Sequence, residues 1–215
     1  MAEVTYSRRE ETLHWVTHAI GVAASLVAIP WLVIVATDGG DPWRLAAGVI
    51  FGVSALLLFA TSVLYHAAST PQYKTRLRML DHSAIYLLIA GSYTPFALGV
   101  LRGPRGWTLF GVVWGLAITG ILAKTVLGFR FHLTSTLLYV GMGWVGVIVA
   151  RPLMDALTGH EIAWLVAGGL VYTAGVPFYL WKSRRYSHAV WHLFVLGGVA
   201  CHFVAVLSVM TPRVT

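Results

Sequence analysis

The sequence predicts an all-α integral membrane protein, a bundle of seven transmembrane helices with its N-terminus inside and its C-terminus outside. Three observations predict it. Of 215 residues, 58% are hydrophobic and only 11% charged, where a soluble domain carries about 25% charged residues. Seven apolar runs each reach the roughly 17–25 residues that a helix needs to cross the hydrocarbon. Lys and Arg, finally, fall unevenly on the two sides of those runs.

The runs cover about 14–36, 44–66, 79–101, 106–123, 132–150, 162–181 and 188–210, with edges good to about 2–4 residues. The first is too long for the apolar core of a signal peptide, and no small-residue cleavage site follows it. Arg8 and Arg9 invite a twin-arginine reading, but Glu10 and Glu11 stand where that signal wants apolar residues and argue against it. Pro30, Pro95 and Pro177 lie inside runs one, three and six and predict kinks. Gly48 with Gly52, and Gly111 with Gly115, have the spacing that permits close helix contact in runs two and four. Trp31, Trp107 and Trp181 sit near run ends, as interfacial aromatics do. Cys201 is alone in the last run, so there is neither a disulfide framework nor a cysteine-based zinc site.

Short links at 37–43, 67–78, 102–105, 124–131, 151–161 and 182–187 make sequence neighbours antiparallel neighbours. The runs and links use residues 1–215 as a single domain, which leaves any function to the bundle itself. With the N-terminus inside, the inner segments hold Arg8, Arg9, Lys74, Arg76, Arg78, Lys124, Arg130, Lys182, Arg184 and Arg185. The outer segments hold Arg44, Arg102, Arg105, Arg151 and Arg213, so the split is 10 against 5. The net charge of +7 is then an orientation signal with anionic lipid headgroups as neighbours, not a nucleic-acid footprint. Nothing in the chain indicates a protein partner.

This topology brings one set of polar residues to the inner end. Run two ends at His66, run three begins at Asp81, and run seven begins with His188 and His192. Ionisable groups in a bilayer cost about 2.5 kcal/mol or more each, so such a cluster implies a function or a strong partner. His188 and His192, four apart, share one helix face. With His66 they make the three-nitrogen set of a catalytic zinc site whose fourth position holds water. Asp81 is placed to take that water's proton, and Ser62, one turn deeper than His66, to orient water or substrate. Against this stands the plainer reading that the histidines only hydrogen-bond between helices. His82, next to Asp81 in sequence, reads as pointing elsewhere, and His132 and His160 as loop or headgroup residues. His14 and His18 form another i,i+4 pair, either an alternative ligand pair or a hydrogen-bonded entry to the first helix. His202, ten residues past His192, lies about 15 Å deeper and is a candidate for lining a cavity.

The motifs EETLHWVTHAIG, SVLYH, LDHSAIYLLIAGSYTPF and SHAVWHLFVLGGVACHFVAV resemble, in that order, those of the hemolysin III branch of the progestin-and-adipoQ-receptor (PAQR) superfamily. The resemblance spans nearly the whole chain. It implies a multi-pass protein of the bacterial cell membrane, with Zn2+ held by His66, His188 and His192 near Asp81 and Ser62. It also implies a distant likeness to alkaline ceramidases, which hydrolyse lipid amides. One departure is His14, where the family pattern EExxNxxTH carries Asn; this touches the role of the first helix rather than the metal.

The expected function is therefore zinc-dependent hydrolysis of a lipid amide or ester in membrane lipid homeostasis. The alternatives are a non-catalytic, zinc-stabilised membrane sensor or regulator, and a haemolysin-like pore. The pore is the weaker of these, because the ionisable groups crowd one end and only His202 lies deep. A retinal pump is excluded by the lack of a lysine in run seven, and a b-type haem protein by the lack of a second histidine pair spaced like His188 and His202.

Overall fold

The computed structural model describes residues 6–212; Arg213, counted above among the outer cations, lies outside them. Among the described residues, seven helical segments are long and apolar enough to cross a membrane. They are α1 (Arg8–Asp38), α2 (Pro42–Ala67), α3 (Pro71–Thr94) continued by a π-helical stretch Pro95–Leu101, and α4 (Gly103–Leu127). The fifth is a broken span of α5 (His132–Gly143), a 3₁₀ stretch Val145–Val149 and α6 (Ala150–Ala156); then follow α7 (Gly159–Leu180) and α8 (Ser187–Met210). All seven sequence runs fall on these segments.

Two helices begin well before the apolar runs do, and each start has a local cause. Ser7 accepts from the Glu10 N–H while the Glu10 side chain accepts from Ser7, a capping box that starts α1 six residues ahead of the apolar run. Pro71 opens α3 at a position where a missing N–H costs nothing, so most of the expected 67–78 link is helix. The opposite deviation occurs in the fifth span. The expected continuous helix over 132–150 stops at Gly143, tightens into 3₁₀, and resumes to Ala156. The Tyr93 hydroxyl secures the break by donating to the Gly143 carbonyl at 2.6 Å and accepting from the Gly146 N–H at 2.9 Å.

Helix packing closes a ring in which α1 touches α2 and α8, α3 follows α2, α4 follows α3, and α7 pairs with α8. The core under the histidine end comprises Ala55, Leu58, Phe59, Ala84, Leu88 and Val195; a second core at the far end is built on Leu32, Phe51, Phe96, Val206 and Met210. The broken fifth span meets its neighbours at few points, and this leaves room for a cavity between it, α3, α7 and α8.

The two glycine pairs part ways. A Cβ on Gly52 would stand 2.6 Å from Ile29 on α1, and one on Gly48 would stand 3.1 Å from Met210 on α8, so this pair lies in helix contacts. Gly111 and Gly115 have nothing within 4 Å and face outward. Gly106, at the start of α4, has the carbonyl of Ala97 where a Cβ would go. Gly106→Ala must therefore shift backbone, an overpacking cost of about 1–3 kcal/mol, and is expected to lower the thermal midpoint by several degrees. Gly111→Ala is expected to leave it in place, a contrast that a melting series in detergent measures directly.

Candidate metal centre and cavity

Three helices deliver histidines to one end of the bundle. α2 ends there with His66, α8 starts there with His188 and His192, and α1 starts there with His14 and His18. All but His188, which is half-buried, are buried. One ring nitrogen from each of His66, His188 and His192 lies within 4.8 Å of the others, a grouping that can hold a metal ion. Asp81 is not in that group; its carboxylate lines the adjoining cavity.

Outer hydrogen bonds prepare two of these rings to be ligands. The Nδ1–H of His66 donates to Glu11 Oε2 at 2.7 Å, which leaves Nε2 as a lone pair, buried and without a hydrogen-bond partner. The Nδ1 of His192 lies 3.1 Å from the carbonyl of His14 and 3.2 Å from the Thr17 hydroxyl. The carbonyl can only accept, so Nδ1 carries the proton and Nε2 is again the free nitrogen. Histidines that ligate metals almost always donate their other ring N–H in this way, to a carboxylate or a carbonyl. Donor chemistry and hydrogen bonding therefore fit a metal, and a set of imidazoles suits zinc among several transition metals.

Two adjacent glutamates tie the α1 entrance to the helices that carry the ligands. Glu11 accepts from His66 and, at 2.7 Å, from the Lys74 ammonium on α3. Glu10 accepts from the Tyr186 N–H at 3.2 Å, immediately ahead of α8. Tyr186 holds a left-handed conformation there, with φ 62°, and the bond to Glu10 helps to fix that turn and the start of the helix bearing His188. Tyr6 stacks on His188 with ring centres 5.4 Å apart and meets His14 edge-on at 4.7 Å. Burial pushes the Tyr6 phenol up to about 12, so it covers the cluster as a neutral hydroxyl across the physiological range.

The remaining predicted residues fall as follows. Ser62 is buried one turn below His66, its hydroxyl without a partner. His82 does not point away from Asp81, contrary to expectation: its Nδ1 lies 3.0 Å from Asp81 Oδ2, and both residues line the cavity. Neighbours in sequence differ by about 100° around a helix, yet the ends of these two side chains meet. His14 and His18 are buried within the histidine cluster. His18 stacks face to face on His192 at 3.6 Å, and His14 packs edge-on to both His66 and His188 at 4.7 and 4.8 Å. Their i,i+4 spacing was the available signal. His132 stacks on Tyr179 rather than standing free in a loop.

Beside the histidines opens a cavity of about 290 Å³. Asp81, His82, His18, His188 and His192 form its polar end; Ile85, Leu88, Val166 and Val195 line its length; Phe96, Leu153 and Ile162 close the far end. It is a largely apolar cavity with Asp81 and four histidines gathered at one end.

Comparison with known proteins bears on what this arrangement belongs to. The family model for haemolysin-III-related proteins matches residues 6–203. The chain is 45% identical to Hemolysin-3 of Bacillus cereus over 212 residues, covering 99% of this chain and 97% of that one. It is 45% identical to the Hemolysin-3 homolog of Bacillus subtilis over 202 residues, covering 94% and 95%. A human protein, monocyte to macrophage differentiation factor, is 27% identical over 209 residues, covering 92% and 83%. With seven membrane-crossing helices and matches of this extent to bacterial relatives, the chain is a multi-pass protein of the bacterial cell membrane and belongs to the haemolysin-III-related family.

Proposed function

We propose that the chain is a zinc-dependent hydrolase of lipid amides or esters, working in membrane lipid homeostasis. One observation carries this reading: three histidines that can share a metal ion, two of them (His66 and His192) with the ligating nitrogen freed by an outer hydrogen bond, adjoin an apolar cavity lined by His188, His192 and Asp81. Zinc, when bound, supplies Lewis acidity and a water acidified toward a pKa of about 7. His66, His188 and His192 would hold it. Asp81 accepts the proton that the attacking water gives up, and passes it to the leaving amine or alcohol. The water adds to the acyl carbon, the C–N or C–O bond breaks, and a fatty acid and an amine or alcohol result. Ser62 has an unengaged hydroxyl to offer the acyl oxygen or the water. The cavity takes the acyl chain, keeps bulk water from the reacting bond, and presents that bond at the polar end.

A second reading has its own support. The histidines knit α1, α2 and α8 together, as a metal staple in a sensor or regulator would. Two measurements on detergent-purified protein separate the readings: metal content by mass spectrometry, and fatty-acid release from an N-acyl sphingosine before and after chelation. Hydrolysis is expected together with about one zinc per chain, and chelation is expected to abolish the release. Bound zinc with no turnover of amide or ester lipids would leave the staple. A chain purified with added zinc yet free of metal would return the histidines to hydrogen bonding and end the hydrolase reading.

Glu11 provides a sharper test of the metal. Glu11→Gln keeps the shape of the side chain but removes the charge that orients His66. Loss of such a partner weakens metal binding by roughly 10–100-fold, so zinc in this variant is expected to be lost to a chelator concentration that wild type withstands.

A further inference from the structure

About 15 Å along α8 from His192, at 1.5 Å per residue, the same apolar cavity carries a second polar station that the chemistry at its polar end does not use. His202 of α8 and Tyr172 of α7 both line the cavity there, with ring centres 5.4 Å apart. The His202 Nε2–H donates to the Leu165 carbonyl at 3.2 Å, so Nδ1 is left as a lone pair; that nitrogen is buried and has no hydrogen-bond partner. The Tyr172 hydroxyl is likewise buried without a partner. The two are held by reciprocal glycines. A Cβ on Gly168 of α7 would overlap the His202 ring, and one on Gly198 of α8 would stand 2.6 Å from the Tyr172 ring. Each helix thus has a glycine one turn from its own polar residue, and each glycine makes the space for the other helix's residue. Tight packing of this kind sets both polar atoms in place, and unpaired polar groups at such depth are costly and mark ligand pathways.

We propose that His202 and Tyr172 form a recognition site for a mid-chain hydroxyl on the acyl group that enters the cavity. The chemistry selects a hydroxyl over other groups. His202 Nδ1 can only accept and the Tyr172 hydroxyl can donate, and an alcohol is a donor and an acceptor at a single oxygen. A plain methylene chain satisfies neither residue, and a keto group satisfies only Tyr172. The inference rests on the reading that the cavity holds an acyl chain and adds a substrate class to it: lipids of hydroxylated fatty acids.

The test is displacement of labelled oleate from the full-length, zinc-loaded protein in detergent by unlabelled oleate or by ricinoleate, its mid-chain hydroxylated counterpart. Two neutral hydrogen bonds to otherwise unpaired groups give an expected preference for ricinoleate of about tenfold. Tyr172→Phe keeps the ring over Gly198 and removes only the hydroxyl; it is expected to bring the preference down to a few-fold at most. His202→Leu is expected to act in the same direction, with affinity for oleate and zinc content unchanged in both variants. Equal binding of the two fatty acids by wild type overturns this proposal alone and leaves the station to water. A preference that survives both substitutions does the same. Failure of oleate itself to bind overturns both this site and the acyl-chain reading of the cavity.

Discussion

Asp81→Asn is expected to slow lipid-amide cleavage by on the order of 10²–10⁴-fold while leaving bound zinc in place, because that is the usual worth of a positioned general acid–base group. The side chain keeps its size, but an amide cannot take a proton from water or return one to an amine. The prediction separates Asp81 from the ligands, since it stands outside the group of nitrogens that can share a metal ion. It also has a concrete rival. His18 is buried, has no hydrogen-bond partner at either ring nitrogen, lines the same cavity and stacks on His192. If Asp81→Asn retained full rate and His18→Phe lost it, the proton would pass through His18. Steady-state rates for the two variants, each with its zinc content measured, decide between them.

The seven spans were legible because a membrane imposes one simple condition, about 20 apolar residues per crossing. The ends of α1 and α3 were not, because hydropathy falls at the interface while the helix continues on capping and a proline start. The break after Gly143 was also hidden. Trp144 to Val149 are as apolar as their neighbours, and the Tyr93 hydroxyl that stabilises the break comes from 50 residues upstream. The same division holds at the site. His66, His188 and His192 could be grouped from the sequence because alternating spans return every second end to the same face. The α1 contribution could not be read in the same way: whether Glu11, His14 and His18 face the site depends on the rotation of α1 against α2 and α8. Close packing sets that rotation, with Gly21 admitting the Phe59 ring 2.5 Å from where its Cβ would stand. His82 shows the converse limit, since residue spacing gives the direction of a Cα–Cβ bond but not where two side-chain ends meet.

His192→Ala is expected to weaken zinc binding by roughly 10²–10³-fold. Structural zinc contributes about 10–16 kcal/mol through four ligands, so one ligand accounts for about 2.5–4 kcal/mol, and each 1.4 kcal/mol is tenfold. The substitution also removes the ring that His18 stacks on and the donor to the His14 carbonyl, so some destabilisation of the α1–α8 contact is expected beside the loss of metal. His14→Ala distinguishes the two effects. His14 is wholly buried in the same cluster and packs against the same rings, yet it lies outside the set formed by His66, His188 and His192. Its removal should cost stability of the same kind and leave zinc bound. Equal loss of zinc from His14→Ala and His192→Ala would mean that α1 supplies a ligand in place of water. A site closed by four imidazoles has no open position for a substrate, and the chain would then be a stapled bundle rather than an enzyme. Metal content and melting temperature, measured on the same preparations of both variants, decide which of these the histidines have been assembled to do.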